Sequence, residues 1–366
     1  MSLVTRLALG GENMDIREKI EKLFEDYAQN AYYSGTGLVK IGDEIIYGAG
    51  KGYANRSWKV ENTLDTKFDT ASITKMFTSV AIFQLIGSGK LSLNDRILDI
   101  IDIGETAISK EVTIQHLLTH TSGIGDDADE EANEDYEALW KDKPNYSVRQ
   151  LRDNLPNFIH REPNFRPGEG YRYNNAGYIL LGIAIEAVTG INYRDYIREN
   201  IFKAANMNNS EFCSFDGISE KVAEGYIMIE DENEDVIGWR KNIYSYPPIG
   251  GAEGGGFTTV IDLDNFIHAL LDGKLLSLAL TKELLSTQVV IVDNDDVCAT
   301  QCYGFETRLY KKYNAFLYGK DGCSPGVANM FTYYPEKDMT IAVMANQEAN
   351  VWKLCREIKD IIFENK

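Results

Sequence analysis

The sequence predicts a mixed α/β fold, in which both ends of the chain build one antiparallel sheet and a mainly helical region is inserted between them. Two observations lead to this prediction. Near the start, strand-like runs at 37–41 and 45–49 are separated by Gly42-Asp43-Glu44, the pattern of a hairpin. Near the end, runs rich in aromatic and β-branched residues predict antiparallel strands at 303–310, 315–318, 328–334 and 339–344.

Helical patterns flank these strands and fill the middle of the chain. The first predicts a surface helix over 15–30, because apolar residues recur there at helical spacing. A second helix opens at Ser72 and runs to about Gly87; it is apolar around most of its circumference, so we expect it to be buried. Further helical patterns occupy roughly 91–300, and a closing helix is predicted over 350–364.

These elements predict two domains, for which 366 residues are sufficient. Residues 14–90 together with 300–366 would form an α/β sheet domain. Residues 91–299 would form a mainly helical inserted domain, with the active-site cleft between the two. Residues 1–13 resemble a disordered leader or tag that precedes Met14.

Composition narrows the function classes. A net charge of −19 disfavours binding to nucleic acid or to anionic membrane surfaces. Five cysteines, an odd number without a C-x-x-C pair, indicate reduced thiols and a cytoplasmic location. No apolar run reaches the ~18 residues of a membrane helix. Because neither acidic run, 126–131 or 230–235, has the spacing of an EF-hand, we expect both to be solvated loops rather than cation sites.

Ser72 and Lys75 are candidate catalytic residues because they lie one helical turn apart. Side chains three residues apart share a helix face, so the Lys75 amine can stand beside the Ser72 hydroxyl and take its proton. A position near the helix N-terminus would also favour developing negative charge on Ser72. The alternative is that Ser72 caps the helix and Lys75 is solvated.

Two other segments carry candidate site residues. Tyr173 and Asn175 lie two residues apart in a tight loop before an apolar helix, so both side chains can point into one cleft. Lys320 stands beside Gly322, where the lack of a side chain lets a substrate approach the backbone. The alternative for each segment is an ordinary turn.

Other patterns do not indicate a cofactor or metal. The glycines at 48–52 and 87–92 have neither dinucleotide-loop nor phosphate-loop context. His116 and His120 are four residues apart, but residue 117 is leucine rather than the glutamate of a zinc protease, so core or cap roles are favoured. We read His160 and His268 as structural or surface residues. We predict a small-molecule or short-peptide substrate, no metal and no cofactor.

Taken in order, these segments resemble the serine β-lactamase and penicillin-binding protein superfamily, in particular its class C branch with the related DD-peptidases and esterases. The resemblance spans about 35–346. Its blocks are Phe68 to Lys75, the run Leu117-Leu118-Thr119-His120-Thr121-Ser122-Gly123, the loop at 166–178, the glycine turn at 250–259, and Lys320-Asp321-Gly322.

The resemblance implies a role for each candidate. Ser72 would be the acylated nucleophile, Lys75 its proton acceptor and Tyr173 the shuttle that delivers the proton to the leaving group. Asn175 would orient the substrate amide, and Lys320 would hold substrate charge and polarise Tyr173. The backbone N–H groups of Ser72 and Cys323 would form the oxyanion hole.

Three departures from the family pattern concern the substrate. Asp321 replaces a small hydroxyl residue or glycine, and its carboxylate beside Lys320 would repel a carboxylate-bearing substrate. Cys323 follows Lys320-Asp321-Gly322, and we expect its side chain to pack inertly. The acidic and aromatic insert at 124–165 is expected to cover the site as a wall or lid.

The resemblance therefore implies a serine hydrolase that acts on amides or esters through an acyl-enzyme. A DD-carboxypeptidase, a D-aminopeptidase and a carboxylesterase remain open, whereas β-lactam hydrolysis is disfavoured for a cytoplasmic chain. The alternative is a catalytically idle descendant that binds a peptide or acts as a scaffold. The presence of Ser72, Lys75 and Tyr173 together argues against it.

Overall fold

The computed structural model describes residues 15–29, 33–233 and 235–364. The leader predicted at 1–13 lies outside the described residues. The helices are α1 (Ile16–Gln29), α2 (Thr74–Gly87), α3 (Ile97–Ile100), α4 (Ile114–Leu118), α5 (Ala176–Thr189), α6 (Tyr193–Ile197), α7 (Val260–Leu271), α8 (Leu278–Leu284) and α9 (Val351–Glu364). Short 3-10 turns include Ala71–Ile73, Glu130–Ala132 and Tyr136–Trp140.

Within the described residues, the strands form one large sheet and three small pairs. They are β1 (Gly35–Ile41), β2 (Glu44–Lys51), β3 (Tyr53–Asn55), β4 (Val60–Glu61), β5 (Phe68–Asp69), β6 (Tyr226–Glu230), β7 (Val236–Lys241), β8 (Phe257–Thr258), β9 (Val289–Asp293), β10 (Val297–Gln301), β11 (Glu306–Tyr310), β12 (Ala315–Ser324), β13 (Val327–Tyr334) and β14 (Met339–Ala345).

The large sheet joins the two ends of the chain, as the sequence predicts. Its order is β2-β1-β14-β13-β12-β11-β10-β9, and every neighbouring pair is antiparallel. The link between the ends is the β1–β14 pair, in which Gly35 lies opposite Ala345 and Ile41 opposite Met339. The predicted hairpin is β1–β2, and the predicted terminal strands correspond to β11 to β14.

The C-terminal group of sheet strands begins earlier in the chain than the sequence predicted. Strand β9 starts at Val289, inside the region assigned to the helical insert, and the β6–β7 hairpin also lies there. A run of four apolar residues, Val289 to Val292, cannot be distinguished from a piece of helix by periodicity alone, which is why β9 was missed. The division of the chain into two domains stays a prediction.

Both faces of the sheet are covered by helices. On one face, α1 and α9 pack against alternate strand residues such as Val39, Ile341 and Val343. The intervening residues, among them Ala342 and Met344, pack against the cluster that contains α2 and α5. Burial on both faces explains why β13 and β14 are mostly apolar and are buried along their whole length.

Helix α2 is buried on nearly all sides, as predicted. The short turn Ala71–Ile73 that precedes it holds the candidate nucleophile and packs against β12 and β13. Within the described residues no single helix has the length and apolar character needed to cross a membrane, although the bent pair Ala176–Thr189 and Tyr193–Phe202 meets those criteria by length and composition. The five cysteines are free. The cytoplasmic location stays a prediction.

Candidate active site

Ser72 lies in a 3-10 turn, Ala71–Ile73, that leads directly into α2. Ala71 precedes it with a φ of 43°, a left-handed conformation that residues other than glycine rarely adopt. The Asp69 carboxylate accepts a hydrogen bond from the Ala71 N–H at 2.7 Å and helps to hold this turn. Strained backbone of this kind concentrates at functional sites, where the surrounding structure enforces it.

The Ser72 hydroxyl oxygen contacts two proton-carrying groups. Lys75 Nζ lies 3.0 Å from Ser72 Oγ, and the Tyr173 hydroxyl donates to the same oxygen at 2.7 Å. Ser72 is half-buried, whereas Lys75 is fully buried. The structure therefore brings together the three predicted catalytic side chains and rules out the alternative of a cap with a solvated lysine.

The surroundings of Lys75 lower the affinity of its amine for a proton. Besides Ser72 Oγ, Lys75 Nζ donates to Asn175 Oδ1 at 2.7 Å and to the backbone oxygen of Glu253 at 2.6 Å. All three acceptors are uncharged. Burial first, and then the charge of Lys320, lower the pKa of Lys75 to about 8. A neutral Lys75 amine could still donate to Asn175 Oδ1 and to the Glu253 backbone oxygen while its lone pair faces the Ser72 hydroxyl.

Tyr173 is held in its neutral form by burial, which raises the pKa of its phenol well above the usual value. The ring of His120 lies against it, with centroids 4.5 Å apart. His120 is itself buried, and its Nδ1 accepts a hydrogen bond from the Asn174 N–H at 3.1 Å. His116 completes a cap at the start of α4. Core and cap roles for the two histidines are thus confirmed.

Asn175 links Lys75 to the acidic run. Its Nδ2 donates to Glu130 Oε1 at 3.0 Å, while its backbone N–H and that of Ala176 donate to Asp126 at 2.8–3.0 Å. The expectation that 126–131 is a solvated loop is wrong for Asp126 and Asp127, which are buried. The reason is that α5 begins here, and its free N–H groups recruit a carboxylate. The other run forms the exposed tip between β6 and β7, as expected for its described residues.

Lys320 is not free to hold a substrate charge. Its Nζ lies 2.6 Å from Glu306 Oε1 and 3.6 Å from Asp321 Oδ1, and its side chain is only 2% exposed. Burial disfavours the ammonium, but the carboxylates of Glu306 and Asp321 prevail and hold the pKa of Lys320 well above its usual value. Trp352 Nε1 donates to the second oxygen of Asp321 at 2.7 Å.

Gly322 allows β12 to lie against the turn that carries Ser72. A Cβ at this position would stand 2.3 Å from the Thr70 backbone oxygen and 3.0 Å from the Ser72 nitrogen. Strand β11 pairs with β12 only as far as Gly319, so the following residues have an open edge on that side. Residue 323 follows directly, and it lines the same cavity as Ser72.

The Cys323 side chain does not pack inertly, as the sequence analysis expected, but is exposed and lines a cavity. The cause is its place at the open end of β12.

The cavity beside Ser72 has a volume of about 320 Å³. The insert at 124–165 supplies Glu130 and Tyr136 to its lining, so the insert forms a wall of the site. Residues 246–255 and the end of β12 supply much of the remaining lining.

Comparison with known proteins identifies the family. A model of the family described as beta-lactamase matches residues 20–362. The chain belongs to this family. It is 38% identical to a penicillin-binding protein from Bacillus halodurans, whose crystal structure superposes with a TM-score of 0.84 over 93% of this chain and 99% of that one.

Two further relatives extend the comparison. Penicillin-binding protein 4* of Bacillus subtilis is 28% identical over 353 residues, which is 91% of this chain and 72% of the relative. A D-amino acid amidase from Ochrobactrum anthropi has the same fold, with a TM-score of 0.79 at 20% identity over 96% of this chain and 99% of that one. The chain thus has the beta-lactamase-family serine hydrolase fold.

In this beta-lactamase-family chain, several residues that shape the site were not found from the sequence. Glu306 belongs to none of the motifs found in the sequence. Only the pairing of β11 with β12 brings its carboxylate to Lys320. Glu253 acts through its backbone oxygen, which any residue could supply, although the glycine turn around it was a visible signal. His120 was read only as core or cap, yet it lies in the sequence block that carried the resemblance and supports Tyr173.

Proposed function

We propose that this chain is a serine hydrolase that cleaves an amide or ester bond through an acyl-enzyme on Ser72. The observation that carries the proposal is the shared contact at Ser72 Oγ, with Lys75 Nζ at 3.0 Å and the Tyr173 hydroxyl at 2.7 Å. An activated nucleophile needs a base within hydrogen-bond reach and a third group that orients the pair.

In the acylation step, a neutral Lys75 takes the Ser72 proton as Ser72 Oγ forms a bond to the acyl carbon. The negative charge on the substrate oxygen is stabilised by the backbone N–H groups of Ser72 and Cys323, each contributing about 3 kcal/mol. The bond to the leaving nitrogen or oxygen then breaks. That atom receives a proton from the Tyr173 hydroxyl, which regains one from Lys75.

In the deacylation step, a water molecule takes the place of the leaving group. Tyr173 and Lys75 together accept its proton as its oxygen bonds to the acyl carbon. The ester bond to Ser72 breaks, and Ser72 Oγ regains a proton. Enzyme and free acid are the products, and no redox partner or metal is consumed.

The test is to incubate the protein with a reactive penicillin and with a panel of p-nitrophenyl esters and p-nitroanilides. We expect intact-mass spectra to show a covalent acyl adduct and p-nitrophenol or p-nitroaniline to be released. Ser72→Ala should lose both signals, whereas Ser57→Ala, a change of an exposed serine, should keep them. The ratio of anilide to ester turnover separates peptidase from esterase activity.

Absence of both adduct and Ser72-dependent turnover with every reagent would overturn the proposal and favour the idle binding protein. The hydrolase is favoured because Lys75 and Tyr173 are both present and each is hydrogen-bonded to Ser72 Oγ.

A further inference from the structure

His120 holds the loop that carries Tyr173 through three separate contacts. Its backbone oxygen accepts a hydrogen bond from the Arg172 N–H at 3.0 Å, and its Nδ1 accepts one from the Asn174 N–H at 3.1 Å. Between these two points the imidazole lies against the Tyr173 ring, with centroids 4.5 Å apart and planes inclined by 35°. The loop is therefore held on both sides of the tyrosine whose hydroxyl reaches Ser72 Oγ at 2.7 Å.

The backbone of His120 has the left-handed conformation that allows these contacts. Its φ is 58°, two residues after Leu118 ends α4. Glycine adopts this conformation freely, whereas a residue with a Cβ is strained in it. Such strain persists where the surrounding structure enforces it, most often at functional sites. The contacts of the imidazole are what a glycine here would lack.

The imidazole is 1% exposed, and it is not an economical way to fill this space. Nδ1 of His120 accepts a hydrogen bond, so the proton of the neutral ring is on Nε2. Nε2 is buried without a hydrogen-bond partner among the described residues, which costs stability. A phenyl ring would pack here without that cost. What the imidazole adds is the acceptor at Nδ1.

The charges around His120 keep Nδ1 an acceptor. Burial first, and then the charges of Lys320 and Lys75, lower the pKa of His120 well below its usual value. A protonated imidazole would carry N–H groups at both nitrogens and could not accept from Asn174. The same two ammonium groups lie 4.9 and 5.0 Å from the centre of the Tyr173 ring. The two lysines that flank the phenol thus also keep its neighbour neutral.

We propose, resting on the hydrolase function proposed above, that His120 is a positioning residue for the proton transfer from Tyr173 to the leaving group. By accepting from the Asn174 N–H, Nδ1 fixes the backbone that follows Tyr173. The phenol is then kept within hydrogen-bond distance of Ser72 Oγ, and so of a leaving atom bonded to the same acyl carbon.

His120 itself exchanges no proton in this step. The O–H bond of Tyr173 breaks as its proton bonds to the leaving nitrogen or oxygen. The bond from that atom to the acyl carbon breaks, and its electron pair stays on the leaving atom. The phenol regains a proton from Lys75. A loss of alignment therefore slows the substrates whose leaving group needs the proton most.

The test compares the p-nitroanilide and the p-nitrophenyl ester of one acyl group. p-Nitrophenolate leaves without a proton, whereas the anilide nitrogen needs one as its bond breaks. His120→Phe keeps an aromatic ring and removes the Nδ1 acceptor. We expect kcat/KM, which reports acylation, to fall about 10²-fold for the anilide and by less than about threefold for the ester. If the wild type does not cleave the anilide, the ethyl ester takes its place.

His120→Asn is the matched rescue. Asparagine tolerates a left-handed φ, and its Oδ1 is as many bonds from Cβ as Nδ1 of histidine. We expect it to restore the anilide-to-ester ratio to within about fivefold of the wild type. His116→Gln, at the cap of α4, is the control and should leave the ratio unchanged. If His120→Phe does not fold, His120→Gln, whose amide lies one carbon farther out, should show the same selective loss.

A merely structural role gives a different result. Loss of packing around His120 would slow both substrates equally and leave their ratio unchanged. That result, or a ratio that His120→Asn fails to restore, would overturn the positioning role while the enzyme stands. If the wild type cleaves none of these substrates and Ser72 is never acylated, the hydrolase proposal itself is overturned.

Discussion

The two sides of the cleft each contribute a buried lysine, and the protein gives them opposite electrostatic surroundings. Lys75, at the start of α2, donates to a hydroxyl, a carboxamide and a backbone carbonyl. Lys320, on β12, is paired with the carboxylates of Glu306 and Asp321. Their Nζ atoms lie 5.0 and 4.9 Å from the centre of the same Tyr173 ring.

The difference shows that neighbours, not burial alone, decide whether a lysine is a base or a fixed charge. Burial lowers the pKa of both side chains. Only Lys320 has carboxylates close enough to reverse that effect. The charge of Lys320 in turn helps to lower the pKa of Lys75. In the proposed mechanism, the helix side therefore provides the base, and the strand side provides the charge that lowers the pKa of that base.

The largest effect is expected from Lys75→Met. Activity should fall by about 10⁴-fold, because the proton acceptor is lost. Stability should stay unchanged or rise, since the variant removes a buried ammonium whose direct acceptors are all uncharged. Ester turnover and urea denaturation measure the two effects. Lys90→Met, an exposed position just beyond α2, is the control and should change neither. A large loss of stability in Lys75→Met would contradict the contrast between the two lysines.

Gly322→Ala tests the contact between the two sides of the cleft. The added Cβ would stand 2.3 Å from the Thr70 backbone oxygen, so β12 must move away from Ser72 and separate the two oxyanion donors. We expect kcat to fall by about 10²–10³-fold with a smaller change in KM. Gly238→Ala in β7, where a Cβ meets nothing closer than 3.7 Å, is the matched control. Unchanged kcat would show that residue 323 does not contribute to the oxyanion hole.

The pH dependence of the reaction follows from Lys75. Its pKa of about 8 predicts that acylation rises with pH, by about tenfold per unit below 8, and levels off above it, because only the neutral amine accepts a proton. Because the pKa of Lys75 is lowered, the unfolded chain binds more protons than the folded chain above about pH 8. The free energy of unfolding therefore increases as pH rises from about 8 towards the pKa of this lysine in the unfolded chain.

Tyr173→Phe distinguishes the titrating group in that profile. The midpoint of kcat/KM against pH should stay near 8 in this variant although the rate falls, because Lys75 keeps its burial and its neighbour Lys320. If Tyr173→Phe instead abolishes the midpoint near pH 8, the titrating base is Tyr173 rather than Lys75.

Lys320→Met is expected to act on stability. It leaves the carboxylate of Glu306, which is 17% exposed, without its nearest cation and should cost about 2 kcal/mol in free energy of unfolding. Because the pKa of Lys320 is raised, its contribution is present below its unfolded pKa and is lost as pH rises above it. Lys274→Met, at an exposed ion pair, should have no measurable effect. Restoring stability by adding Glu306→Gln would confirm the pair as the cause.

The sequence predicted the helix side of the cleft better than the strand side, for a physical reason. Ser72 and Lys75 are neighbours through helical geometry, and Tyr173 and Asn175 share one short loop, so local spacing sufficed. Glu306 meets Lys320 only through the register of β11 against β12, which sequence spacing does not reveal. The burial of Asp126 likewise depends on where α5 begins, and its acidic neighbours indicated solvent instead.

The smallest effect is expected from Asp321→Thr, which tests which of the two carboxylates near Lys320, Glu306 or Asp321, keeps that lysine from binding a substrate. The change replaces Asp321 with the small hydroxyl residue of the family pattern, but Glu306 still lies 2.6 Å from Lys320 Nζ. We therefore expect acylation by a carboxylate-bearing penicillin to rise by no more than about threefold, whereas Glu306→Gln should raise it by about tenfold, because it frees the closer contact. Stopped-flow acylation rates measure both. A larger effect from Asp321→Thr would make Asp321, rather than Glu306, the residue that withholds Lys320 from substrates.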